Sequence, residues 1–172
     1  IQVAPTDVTL GASLGFTAAR LGELVISAGG GDDTIQVDPN IDAGLAVLVD
    51  GGQPSASDTL IMLGTAGADA YTVDLGTAND SGSVLLGNSR TQYINIEAVT
   101  LDTQGGGIGD SLTVNATGIG EAVTVSSVDA DTTTVRVAGH APITLDNFVA
   151  GSTLALNGGG GDDALSVTPP DV

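Results

Sequence analysis

Short alternations of apolar and polar residues follow one another along this chain, separated by glycine- and aspartate-rich stretches. A period of two over four to eight residues is the mark of a half-buried strand. Thirteen segments carry it: LVISA (24–28), TIQV (34–37), LAVLV (45–49), TLIML (59–63), AYTV (70–73), SVLL (83–86), YINIEAVTL (93–101), SLTV (111–114), AVTV (122–125), TTVRV (133–137), PITL (142–145), TLAL (153–156) and ALSV (164–167). The best helical spacing, TAARLGELV at 17–25, contains Gly22 and supports one or two turns at most. The chain is expected to be all-β.

The alternations repeat. DTLIMLGTAGADAYTVD (58–74) aligns without a gap on DSLTVNATGIGEAVTVS (110–126), so Asp58 meets Asp110, Thr65 meets Thr117 and Asp69 meets Glu121 at an offset of 52. LDTQGGGIGDSLTV (101–114) aligns in turn on LALNGGGGDDALSV (154–167), with Asp110 against Asp163. Two copies therefore run over about 64–115 and 116–168, with a shorter relative over about 24–63, inside a single domain of residues 1–172. Asp33 and Asp58 lie 25 apart, near half of 52, which suggests a coil of roughly 26 residues.

The shared element is an acid, a small residue, an aliphatic or Tyr, any residue, then Val or Met: DTIQV, DTLIM, DAYTV, DSLTV, EAVTV, DALSV. Its third and fifth positions share a face of the strand. One strand cannot bury that face alone, whereas stacked copies can. Composition agrees: the chain is 41% hydrophobic but has two Tyr, two Phe and no Trp, so aliphatic layers must fill the interior. A parallel β-helix or related β-solenoid is the expected fold. A β-sandwich is the alternative, and it would require hairpins; VDGGQPS at 49–55 is the main candidate turn for one.

Charge narrows the partners. With 21 acidic residues, three Arg and no Lys, the net charge is −18, which repels nucleic acid and anionic lipid and attracts divalent cations. The longest apolar runs are far too short to cross a membrane, so no membrane insertion is expected. There is no cysteine. His140 stands alone, no Ser has a base nearby in sequence, and only Arg20, Arg90 and Arg136 could assist a lyase, so an enzyme is not expected.

Glycines ahead of the acids supply positive-φ positions for tight turns, and an Asp there can cap the turn by accepting backbone N–H groups. The same carboxylates beside glycine carbonyls also suit calcium, a hard cation that takes six to eight oxygens. Asp32, Asp33, Asp162 and Asp163 are the leading candidate ligands, followed by Asp110, Asp58 and Asp69.

GGGGDDALS at 158–166 matches the nonapeptide G-G-x-G-x-D-x-U-x at every fixed position; AGGGDDTIQ (28–36) and GTAGADAYT (64–72) each depart at one glycine. In these residues the chain resembles the RTX, or hemolysin-type, secreted repeat proteins. The resemblance implies a β-roll whose turns share calcium, but the matches here stand apart and not in consecutive nonapeptides. GTAGADAYTV and YINIEAVTLD also resemble repeats of very large bacterial surface and matrix proteins of adhesin, surface-layer or filament type. That implies an exported chain at the cell surface or outside it.

The expected function is a non-catalytic structural module that gives a stiff scaffold or a self-assembling filament, with calcium as a candidate stabiliser. Residues 160–172 carry no charged or helical cap, so self-association or contact with neighbouring repeats is expected. The alternative is a calcium-dependent, carbohydrate-binding adhesin module that recognises a surface glycan. Sugar sites favour exposed rings, and Tyr71 and Phe148 fall at apolar repeat positions.

Overall fold

The computed structural model describes residues 22–38, 45–53, 57–105 and 109–168. Within them the chain forms fourteen strands and no helix. The strands are β1 (Glu23–Gly29), β2 (Thr34–Val37), β3 (Ala46–Gly52), β4 (Thr59–Leu63), β5 (Ala70–Leu75), β6 (Gly82–Leu86), β7 (Ser89–Ile94), β8 (Ala98–Asp102), β9 (Ser111–Asn115), β10 (Ala122–Ser127), β11 (Thr133–Val137), β12 (Ile143–Asp146), β13 (Thr153–Asn157) and β14 (Ala164–Thr168).

Every predicted strand is present, with one division. YINIEAVTL splits into β7 and β8 at Asn95, whose φ of 53° ends the extended run. The helical candidate at 17–25 enters the described residues only at its end, and there Glu23–Val25 belongs to β1.

Two seven-stranded sheets result. The first has the order β1-β3-β7-β6-β5-β9-β13, and the second, taken from the same end, β2-β4-β8-β12-β11-β10-β14. Eight of the neighbouring pairs are parallel. Four are antiparallel, and these build two meanders, β5-β6-β7 in the first sheet and β10-β11-β12 in the second. The meanders depart from the all-parallel expectation. Gly87, at φ 59°, and Asn88 make the two-residue turn between β6 and β7, while in the VDGGQPS stretch, the candidate turn for a sandwich, Asp50 to Gly52 end β3, which pairs in parallel with its neighbours.

The meanders explain the 52-residue period. From β4 to β9, and from β9 to β14, is five strands, an odd number, so successive copies begin in opposite sheets. Acids 52 or 53 residues apart therefore do not lie side by side.

Alternate residues of both sheets meet in one core. The third and fifth positions of the shared element supply much of it: Leu60 and Met62, Tyr71 and Val73, Leu112 and Val114, Val123 and Val125 are all buried. Tyr71 sits opposite Leu112, and Leu112 opposite Leu154, so aliphatic and tyrosyl side chains continue from strand to strand. The pattern fails at the last strand. In β14, Leu165 and Val167 occupy the inward positions but are 62% and 64% exposed.

Replacing Leu112, which is 0% exposed, by alanine is expected to cost about 2–5 kcal/mol of stability. The chemically identical change at Leu165 should fall within about 0.5 kcal/mol, as at other surface positions. Urea denaturation midpoints of the two variants test whether the core continues through β9 and stops at β14.

Candidate functional site

Five of the candidate acids, Asp33, Asp58, Asp69, Asp110 and Asp163, stand one residue before their strands, with Asp32 and Asp162 one residue earlier, and strand register sets the five in columns. Asp33, Asp58 and Glu97 precede β2, β4 and β8, which are neighbours in the second sheet. Asp69, Asp110 and Ser152 precede β5, β9 and β13 in the first. Glu121 and Asp163 precede β10 and β14.

Within each column a carboxylate oxygen accepts the backbone N–H of the acid in the neighbouring strand. The Asp33 N–H donates to Asp58 Oδ1 at 2.8 Å, and the Asp58 N–H donates to Glu97 Oε2 at 2.7 Å. The Asp69 N–H donates to Asp110 Oδ1 at 2.9 Å, and the Glu121 N–H to Asp163 Oδ1 at 3.0 Å. Every one of these bonds points the same way across its sheet, toward the end formed by β13 and β14. The acids' carbonyls accept N–H groups from the same neighbours: Asp33 O from Thr59, Asp69 O from Ser111, and Glu121 O from Ala164. A carboxylate at this position therefore ends the parallel ladder where the strand begins, satisfying an N–H that a turn would otherwise leave unpaired.

The acids also close their own turns. Asp69 Oδ2 accepts the Thr65 N–H at 2.8 Å and Asp69 Oδ1 the Thr65 hydroxyl at 3.0 Å; Glu121 Oε1 takes both from Thr117. The Thr65/Thr117 correspondence in the repeat thus has a direct cause.

Glycine serves these acids in a second way. Besides the positive-φ glycines, Gly51, Gly64 and Gly158 lie so close to Asp58, Asp69 and Asp163 that a Cβ on any of them would collide with Oδ2. Five residues before Glu121 the chain has Ala116, and the acid there is one methylene longer.

At the far ends of the strands a second set of side chains repeats the pattern. Asn115 Nδ2 donates to Asp74 Oδ1 at 2.7 Å, and Asn157 Nδ2 to Asn115 Oδ1 at 2.6 Å. Asn95 Nδ2 bonds Asp50, and Asn147 Nδ2 bonds Asp102. Sequence reasoning missed these residues, although the strand-final Asp or Asn of AYTVD, SLTVN and TLALN was a visible signal.

The acids differ in burial. Asp58 and Asp110 are 0% exposed, Asp69 and Glu121 are buried, Asp33 is half-buried, and Asp32, Asp162 and Asp163 are exposed. Five ladder acids keep one buried oxygen with no partner among the described residues: Asp33 Oδ2, Asp58 Oδ2, Glu97 Oε1, Asp110 Oδ2 and Glu121 Oε2. Desolvation pushes Asp58 above the ordinary carboxylate range, helped by the like charges of Glu97, Asp33 and Asp32 and opposed by the hydrogen bond from the Asp33 N–H.

No three His, Cys, Asp or Glu side chains among the described residues converge as a metal would require. The columns spread their acids one per strand, and parallel strands are about 4.8 Å apart. A groove beside β1, β3 and β7 is lined by Glu23, Ala46, Leu48, Arg90 and Gln92. Arg90 there pairs with Asp74 at 2.6 Å, with both side chains about half exposed. Tyr93 is buried, and loss of water pushes its phenol up to about 12. The Tyr71 hydroxyl donates to Asp102 O at 3.3 Å, and burial and neighbouring acids raise it further still.

No family model, curated protein or solved structure matches this chain.

Gly51→Ala should destabilise the fold by roughly 1–3 kcal/mol, because its new methyl must displace the Asn95 carbonyl and the Asp58 carboxyl. Gly118→Ala, with nothing within 4 Å of the added atom, should be near neutral in the same thermal melt. Asp58 gives a pH signature. Its folded-state pKa lies above the unfolded one, so the folded chain holds a proton that the unfolded chain lacks between the two values. Asp58 therefore adds stability as pH falls from above the folded value to the ordinary carboxylate range, and nothing further below it. Asp58→Asn keeps the Oδ1 acceptor and removes the titration. The parent's melting temperature should rise relative to the variant's as pH falls from 7 to about 4; a constant difference would discard the assignment.

Proposed function

We propose that the chain is a non-catalytic structural module: a β-solenoid segment whose layers stack along one axis and resist extension. The supporting observation is the unidirectional ladder of carboxylate-to-N–H bonds, which recurs in both sheets and links one strand entry to the next. A sandwich core needs no such link between successive turns, whereas a one-dimensional stack depends on contacts between nearest neighbours. The parallel pairing of β1 with β3, β5 with β9 and β9 with β13 fits a chain that returns to the same sheet with each circuit. The meanders are then excursions within a circuit.

In this reading the module belongs to an exported surface or extracellular protein, where a long, acidic, cysteine-free array acts by stiffness and spacing. The ladder acids hold the layers by hydrogen bonds. Calcium would act at the exposed Asp32 and Asp162 turns, where carboxylates remain open to water and to glycine carbonyls.

Stretching the chain by its ends in an optical trap tests the mechanical role. Extension should be resisted until layers peel away in successive steps, from the ends inward. A chain that lengthens smoothly at low force would overturn the scaffold reading. A melt after chelation, repeated with calcium and with magnesium, settles the role of the cation. The ladder predicts the same β-sheet spectrum and nearly the same midpoint throughout; a large rise with calcium alone would make the turns metal sites that govern folding.

A further inference from the structure

We draw no further inference here: the strongest candidate, the groove on the outer face of the first sheet beside β1, β3 and β7, lined by Glu23, Ala46, Leu48, Arg90 and Gln92, carries nothing because nothing in the structure shows what covers it.

Discussion

The constraint on which this structure depends is the backbone N–H at the start of each parallel strand. A chain arriving from a glycine turn brings that N–H to the sheet before the regular ladder begins, where it would be buried without an acceptor. An Asp or Glu on the neighbouring strand supplies the oxygen. Placing the acid there forces its column mates into register, and once the register is set, the alternation of each strand turns its aliphatic face inward.

The acids impose costs that shape the rest. Their second oxygens are shut away from water, and in Asp58 this, with the charges stacked beside it, favours the proton over the anion. The close seats of these carboxyls require neighbours without a Cβ at Gly51, Gly64 and Gly158. The glycine content that looked like turn chemistry is thus divided between two jobs, bending the chain at positive φ and making room for a carboxyl.

The meanders alter what the repeat means. A circuit with one strand per sheet would return acids at a spacing near 25, as Asp33 and Asp58 do. A meander lengthens the circuit and moves the next copy to the opposite sheet, so Asp110 lies beside Asp69, not Asp58, and Asp163 beside Glu121. The sequence period and the contact period differ for that reason.

Strand positions, the inward residues of each strand and the alignment of acids with turns were all readable from local pattern, because a period of two and a glycine run act within a few residues of themselves. The Thr65 and Asp69 pairing was readable for the same reason. Which acids share a column was not, since that depends on the number of strands between them, and nothing local distinguishes a strand that crosses to the other sheet from one that folds back beside its predecessor. The break at Asn95 and the turn at Gly87 and Asn88 decide this with two or three residues each. Nor could the sequence by itself tell Leu112 from Leu165, which share a motif and a spacing. Among the described residues one has a strand on either side and the other a strand on one side alone, and only the tertiary structure assigns neighbours.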